Sequence, residues 1–233
     1  MYYQPQYYLY NHKFRGFEAL IRWNDKKGWH QPAEFIPEIE NTNAMHILGE
    51  WILEKAMAML SEWQQKYNFN GVLSVNVSPV QLNSPFFLSQ MEKLLEKYKI
   101  QKNTFELEIT EGIFIFDIKK ISELLKNLQQ LGLKIALDDF GTGYSSLRYL
   151  GNMPINTVKF DKSFIDDLQN TEGFAIDILA SLLPVIKKAG IETIAEGVEN
   201  PVQLCMLMDI NCTCIQGFLW GQPESSDMCE RLF

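Results

Sequence analysis

The chain has few of the residues that bind soft metal ions or cross-link small secreted folds. Its 233 residues include 4 cysteines and 3 histidines. The cysteines are Cys205, Cys212, Cys214 and Cys229. They form no Cys-x-x-Cys pair, which argues against a zinc site or a disulfide framework and favours reduced thiols. A metal bound by this chain would therefore take mainly oxygen ligands, as Mg²⁺ and Mn²⁺ do.

Long hydrophobic runs are also missing, and the first residues lack the charged and apolar regions of a signal peptide. We therefore expect a cytoplasmic protein, or the cytoplasmic domain of a membrane-bound sensor. The 14 glycines and 9 prolines are too few and scattered for a linker, so we expect one domain over residues 1–233. The net charge of -8 disfavours nucleic acid polymers as partners but allows a phosphate ligand beside bound cations.

Short β-type runs alternate with helical patterns along most of the chain. The runs are Tyr2–Tyr10, Phe14–Trp23, Val72–Val77, Phe105–Ile109, Lys134–Leu137, Thr157–Phe160, Glu192–Ala195 and Thr213–Phe218. Eight such strands with intervening helices predict an α/β fold, a (β/α)₈ TIM-like barrel. Only Asn11–Lys13 joins the first two runs, which is too short for a crossover helix, so those strands should pair antiparallel.

Polar residues recur where the predicted strands end. They are Glu18, Asn76, Glu108, Glu111, Asp138, Asp139, Lys159, Asp161, Glu196, Glu199 and Gln216. In a barrel these ends share one face, where active sites are built. Each acid alone could be a helix cap or a solvated carboxylate, but their recurrence over successive strands indicates a site. Carboxylates that converge without counter-ions repel one another, and divalent cations would relieve that repulsion.

The stretch ALDDFGTGYSSL, residues 136–147, places two aspartates side by side. Consecutive strand residues point to opposite faces, so we expect Asp138 and Asp139 to converge only if the strand ends there. Binding a shared cation would explain the pair. Equally, Asp139 could cap a helix that starts near Ser145. This stretch alone leaves both readings open.

The chain resembles the EAL domain, the family of cyclic di-GMP-specific phosphodiesterases. The namesake triplet is Glu18-Ala19-Leu20, and matching blocks follow it in the family's order. They read PAEFIPEIE, SVNVSPVQL, LEITE, LDDFGTGYSSL, VKFDKSF, AEGVEN and QGFLWGQP. The triplet alone carries little information, but this ordered set is highly specific. The resemblance implies a barrel with one antiparallel strand near the N-terminus.

The resemblance also implies two Mg²⁺ or Mn²⁺ ions per active site, with Ca²⁺ expected to inhibit. The ligands implied for one ion are Glu18, Asn76, Glu108 and Asp138. The ligands implied for the second are Asp138, Asp139 and Glu196, with Asp138 bridging the two ions. The glycines Gly141 and Gly143 would let the next loop turn tightly beside this site.

Further roles carried over from the family concern catalysis and substrate. Lys159 would hold or polarise the attacking water, Glu196 and Asp139 would take part in catalysis, and Gln216 would support that arrangement. The implied substrate contacts are Gln4, Leu20, Arg22 and Asp161. Glu111 would tether the Asp139–Ser146 loop, and Glu199 would be the second acid of the EGVE block, also stabilising a loop.

Three functions follow as hypotheses. The first is hydrolysis of cyclic di-GMP to linear pGpG in bacterial second-messenger signalling. The second is a cyclic di-GMP-binding receptor module with little or no turnover, and the third is an unrelated metal-dependent barrel enzyme such as a lyase. The third hypothesis leaves the ordered blocks unexplained. The second usually accompanies loss of metal-site acids, and none is missing from this sequence.

The remaining expectations concern the partners of this protein and the positions where its sequence departs from the family's pattern. The family implies a homodimer and fused sensory or diguanylate cyclase-like domains, and the missing helix before the first strand fits a domain excised from a longer signalling protein. The apolar run Gly112–Phe116 could be a dimer contact or core. Asn24–Lys27 replaces a common His-Pro segment, and Asn200 stands where threonine is usual.

Overall fold

Strands and helices alternate through the part of the chain that the computed structural model describes, residues 1–26, 28–40, 42–115, 117–141, 151, 153–169 and 174–233. The barrel strands are β1 (Tyr2–Tyr8), β2 (Phe14–Leu20), β5 (Val72–Asn76), β6 (Phe105–Thr110), β7 (Lys134–Phe140), β8 (Thr157–Phe160), β9 (Glu192–Ala195) and β10 (Cys214–Gln216). A separate hairpin joins β3 (Trp23–Asp25) and β4 (Gly28–His30).

Helices cover the outside of the barrel. They are α1 (Pro32–Ile39), α2 (Asn43–Tyr67), α3 (Pro79–Leu82), α4 (Phe87–Tyr98), α5 (Ile118–Gln130), α6 (Lys162–Asp167), α7 (Phe174–Lys188), α8 (Pro201–Asp209) and α9 (Ser226–Cys229). The 3₁₀ helices are Glu111–Ile115 and Glu230–Leu232. Within the described residues, no helix is both long enough and apolar enough to span a membrane.

The strands close a barrel in the order β1-β10-β9-β8-β7-β6-β5-β2. Strand β1 runs antiparallel to both of its neighbours, with Gln4 opposite Glu18 on β2 and Gln6 opposite Gln216 on β10. The other neighbouring pairs around the barrel are parallel. The predicted TIM-like barrel with one antiparallel N-terminal strand is therefore confirmed.

Side chains alternate between the barrel interior and the helical layer, as they must on a pleated strand. On β6, Phe105, Leu107 and Ile109 belong to the hydrophobic core, while Glu106 and Glu108 are buried polar residues between them. An acid at every second position of a buried strand would be costly without partners. The interior of this barrel must therefore supply partners at two levels.

The lower level is an ion-pair layer at the amino ends of the parallel strands. Arg15 Nη2 lies 2.9 Å from Glu106 Oε2, and Arg15 Nε lies 2.8 Å from Glu192 Oε2. Ser74 and Thr157 donate hydroxyl hydrogen bonds to Glu106. Burial alone would raise the pKa of Glu106, but Arg15 and Thr157 together hold it below its ordinary value. This layer fills the barrel with one guanidinium shared between two carboxylates.

Several strand ends differ from the sequence-based expectations: β1 ends at Tyr8, β7 extends to Phe140, and β10 covers only Cys214–Gln216. The predicted strand Phe14–Trp23 stops at Leu20, and Trp23 instead pairs with His30 in the β3–β4 hairpin. In helix α2, the apolar side chains of Ile47 and Trp51 are 66% and 43% exposed, because the buried face of its first turns lies elsewhere, for example at Met45.

Candidate active site

Lys159 occupies the centre of the upper level, at the carboxyl ends of the parallel strands. Its side chain is 1% exposed. The ammonium group contacts four carboxylates: the Nζ atom lies 2.7 Å from Glu196 Oε1, 2.8 Å from Glu108 Oε2, 3.3 Å from Asp138 Oδ1 and 3.5 Å from Glu18 Oε2. One buried cation thus faces an excess of negative charge contributed by four different strands or strand ends.

This crowding shifts the pKa values of the acids. Burial, reinforced by the charge of Glu18, holds the pKa of Glu108 well above its usual value. Burial likewise raises the pKa of Glu196, where Lys159 opposes the effect and Asp138 adds to it. Glu18 is the exception: burial acts to raise its pKa, but Lys159 and a hydrogen bond from Gln216 bring it below the ordinary value. The protein alone leaves this cluster short of positive charge.

The adjacent aspartates do converge, but not by the expected route. Strand β7 continues through Phe140, so it does not end at Asp138. Instead, its pairing with β8 is irregular between Leu137 and Phe140, and Asp139 has a φ of 53°, in the left-handed region. This local break in the pleat lets the acceptor oxygens of Asp138, Asp139 and Glu196 lie within 4.8 Å of one another.

An oxygen-ligand cation fits the side chains at this level. Glu108 Oε1 is buried and has no hydrogen-bond partner among the described residues. Asn76 Nδ2 donates to Glu18 Oε1 at 2.7 Å and to Glu108 Oε2 at 3.3 Å, which places an amide beside the acids. An unpartnered carboxylate oxygen within an all-oxygen donor set is the environment that Mg²⁺ and Mn²⁺ prefer.

A cavity of about 460 Å³ opens over this cluster. It is lined by Gln4, Glu18, Leu20, Asn76, Asp138, Asp139, Lys162, Glu196, Gly197, Glu199, Gln216, Gly217 and Phe218. Two of the expected substrate contacts, Gln4 and Leu20, are therefore brought to the site, whereas Arg22 and Asp161 are not among its described lining residues. Arg22 donates to the Ile21 carbonyl and lies over the Tyr2 ring, and Asp161 caps α6.

Comparison with known proteins decides the family. The sequence model of the EAL domain matches residues 1–223. The chain belongs to the EAL domain family. This EAL domain is 35% identical over 229 residues to the cyclic di-GMP phosphodiesterase PA2567 of Pseudomonas aeruginosa, covering 98% of this chain and 39% of that protein. It is 34% identical over 232 residues to the signaling protein YkoW of Bacillus subtilis, covering 99% of this chain and 29% of that protein.

Solved structures agree with this assignment. The EAL enzyme Bd1971, in a form bound to cAMP and cyclic di-GMP, aligns with a TM-score of 0.94 and 32% identity over 99% of this chain and 63% of that one. A cyclic di-GMP complex of the PaMucR phosphodiesterase aligns with a TM-score of 0.92 and 30% identity over 98% of this chain and 92% of that one.

The two loop residues of this EAL domain make different contacts. Glu111 Oε1 accepts a hydrogen bond from the Gly141 backbone N–H at 3.0 Å, directly after the end of β7. Residues 142–150, including Gly143 and Ser145, lie outside the described residues. Glu199 instead accepts from Lys162 Nζ at 2.9 Å, on the rim of the cavity.

Asn200, which departs from the family's threonine, is the N-cap of α8. Its side chain accepts hydrogen bonds from the backbone N–H groups of Val202 and Gln203, and Gln203 completes a capping box. Asparagine caps helices as well as threonine does, so this departure leaves the local structure intact. In the Gly112–Phe116 run, Ile113 is buried in the core, and the side chains of residues 114–116 lie outside the description.

Sequence reasoning missed three residues that the EAL domain places at or just below the site. Lys162 and Phe218 line the cavity, and Gln6 hydrogen-bonds Gln216 beneath it. Lys162 lies within the VKFDKSF block and Phe218 within the QGFLWGQP block, so both could have been found from the matching blocks. Gln6 has no such signal, because its partner lies 210 residues away.

Proposed function

We propose that this EAL domain hydrolyses cyclic di-GMP to linear pGpG with the help of two Mg²⁺ or Mn²⁺ ions. The observation that carries the proposal is the cluster of four carboxylates around the buried Lys159, with Glu108 Oε1 left unpartnered. We infer the substrate from the names of the relatives, since PA2567 is called a cyclic di-GMP phosphodiesterase. The residues supply a place where an anionic diester could be attacked.

The acids divide into two proposed ligand sets. Glu18, Asn76, Glu108 and Asp138 would hold one ion, and Asp138, Asp139 and Glu196 would hold the other. When bound, such a pair of ions neutralises the diester and lowers the pKa of bound water. The proximity of the Asp138, Asp139 and Glu196 oxygens supports the second set, and the contacts of Asn76 with Glu18 and Glu108 support the first.

Lys159 and Glu196 would act on the attacking water. The Lys159 ammonium would donate a hydrogen bond that holds the water. The Glu196 carboxylate, 2.7 Å from that ammonium, would accept a proton from the water. The water oxygen forms a bond to phosphorus as the bond from phosphorus to the ribose 3′ oxygen breaks. The proton that Glu196 takes from the water would then pass to that leaving oxygen, which gives a 5′-phosphorylated linear dinucleotide and restores the Glu196 carboxylate.

Other residues would hold the substrate and the loops. Gln4 and Leu20 line the cavity and would contact the nucleotide, while Arg22 and Asp161 would contact it from positions outside the described lining. Gln216 would steady Glu18, to whose Oε2 it donates at 2.5 Å. Glu111, through its bond to Gly141, would set the position of the loop that follows β7.

The domain would work in the cytoplasm as one part of a longer signalling protein and as a homodimer. The chain spans 29% and 39% of the two curated relatives described above, which supports fusion to further domains. A third relative, 31% identical over 228 residues, is named the bifunctional diguanylate cyclase/cyclic di-GMP phosphodiesterase MucR of Pseudomonas aeruginosa. Sensory or diguanylate cyclase-like partners are the corresponding proposal here.

Incubation of the purified chain with cyclic di-GMP and Mg²⁺ or Mn²⁺, followed by chromatography of the products, tests this function. The proposal predicts pGpG. Retention of intact cyclic di-GMP in a stable complex would identify a receptor module instead. Neither binding nor turnover would point to an unrelated substrate.

A further inference from the structure

A line of buried side chains connects the lower ion-pair layer to the candidate active site. Arg15 Nη1 donates to Gln6 Oε1 at 2.5 Å, and Gln6 Nε2 donates to Gln216 Oε1 at 2.8 Å. Gln216 Nε2 then donates to Glu18 Oε2 at 2.5 Å. Gln6 is completely buried, and Arg15, Gln216 and Glu18 are at most 5% exposed.

Chemistry fixes the direction of every bond in this line. A guanidinium can only donate hydrogen bonds, so the Gln6 oxygen must face Arg15 and its NH₂ group must face Gln216. The Gln216 oxygen then faces Gln6, and its NH₂ group faces the Glu18 carboxylate, which can only accept when ionised. Reversing either amide would set two acceptors against each other.

Gln4 strengthens this arrangement from the side. Gln216 Nε2 also donates to Gln4 Oε1 at 3.1 Å, and Gln4 Nε2 donates to the backbone carbonyl of Gly221 at 3.2 Å. Both donors and one acceptor lone pair of Gln216 are thus engaged. Gln6 donates to the Gln216 oxygen from below and so favours the same amide orientation as the acceptors Glu18 and Gln4.

We propose that Gln6 is a positioning residue. Because Arg15 donates to the Gln6 oxygen, the Gln6 NH₂ group faces the Gln216 oxygen, and this keeps an N–H group of Gln216, rather than an oxygen, directed at Glu18. The role assigned to Glu18 as a metal ligand rests on the proposed function. The orientation of the amides does not, and it can be measured without substrate. A residue that merely filled the barrel would contribute to stability and leave Glu18 unaffected.

The test compares three variants of the full chain. Gln6→Glu keeps the shape and the bond from Arg15 but, when ionised, sets an acceptor against the Gln216 oxygen, which favours turning the Gln216 NH₂ group downward against its bonds to Glu18 and Gln4. Gln6→Met removes both bonds without forcing a reversal. Ser74→Ala is the matched control, because it deletes one buried hydrogen bond to Glu106 in the same layer and leaves the line intact.

The first readout is the side-chain amide signal of Gln216 in protein labelled with ¹⁵N-glutamine, recorded without metal or substrate. The second is the Mn²⁺ concentration for half-maximal binding. Gln6→Glu should move the Gln216 signal and weaken Mn²⁺ binding at least about tenfold, the scale of one hydrogen bond to a charged group. Gln6→Met should have a smaller effect, and Ser74→Ala should match wild type in both.

Melting temperatures distinguish a positioning role of Gln6 from a role in core packing alone. If Mn²⁺ binding in the three variants follows only their loss of stability, or if Gln6→Glu folds with an unmoved Gln216 signal, the positioning role is wrong. Should Gln6→Glu fail to fold, Gln6→Met decides: wild-type Mn²⁺ affinity and an unmoved Gln216 signal would overturn the proposal. A moved signal in a protein that binds Mn²⁺ but never hydrolyses cyclic di-GMP would uphold it while refuting the proposed function.

Discussion

Replacing Asp139 with asparagine should make the metal-free protein more stable and the loaded enzyme much less active. Burial and the charges of Asp138 and Asp161 raise the pKa of Asp139 from 3.8 to about 6. The side chain is partly exposed, so we discount the roughly 3 kcal/mol that two pKa units represent to about 1–2 kcal/mol. The left-handed φ of 53° does not oppose the change, since asparagine tolerates this conformation well.

The sign follows from linkage. Because the folded-state pKa is raised, ionised Asp139 destabilises the protein above pH 6, and the penalty disappears as the pH falls through 6 to 3.8. In excess EDTA, Asp139→Asn should therefore melt higher than wild type at pH 8 and equally at pH 3.5. With Mg²⁺ present, loss of a carboxylate from the second proposed ligand set should lower hydrolysis by about 10²-fold or more.

Asp138→Asn is the comparison. Asp138 contacts Lys159 at 3.3 Å and accepts the Asp139 backbone N–H, yet burial raises its pKa as well, so its replacement should lower metal occupancy most without destabilising the metal-free protein. The assays are thermal melting with and without EDTA and the rate of pGpG formation at fixed Mg²⁺. Near-normal hydrolysis by Asp139→Asn, or a lower melting temperature for it in EDTA at pH 8, would refute this reasoning and return Asp139 to a capping role.

Three further predictions concern the loop, the cation and the lower layer. Glu111→Ala should reduce turnover and speed hydrogen exchange at the Gly141 amide while the fold persists; unchanged exchange would contradict the tether. Ca²⁺ should bind yet support little hydrolysis, because its ligand geometry is looser; rates equal to those with Mg²⁺ would exclude this. Arg15→Met should cost about 3–5 kcal/mol in urea unfolding, because Glu106 and Glu192 lose their cation; a cost below about 1 kcal/mol would show the layer to be dispensable.

Local patterns were sufficient to predict the barrel. Apolar alternation located the barrel strands, and the short link Asn11–Lys13 predicted the antiparallel start, because both signals act over a few residues. The polar residues at strand ends, such as Glu108 and Glu196, do lie together, since parallel strands share one carboxyl edge. Their roles as ligands remain predictions.

Features that depend on distant contacts could not be predicted. The left-handed backbone at Asp139 depends on the irregular pairing of β7 with β8, which the sequence of β7 alone does not reveal. The bonds of Gln6 depend on Arg15, nine residues along the chain, and on Gln216, 210 residues away, and neither spacing carries a periodic signal.

The most direct test of the central claim is the rate of pGpG formation from cyclic di-GMP by the purified chain, measured in excess EDTA and again after Mg²⁺ or Mn²⁺ is restored. The carboxylate cluster around Lys159 needs added cations to hold an anionic diester, so the account predicts no product in EDTA and recovery of hydrolysis with either metal. Undiminished pGpG formation in excess EDTA would contradict it.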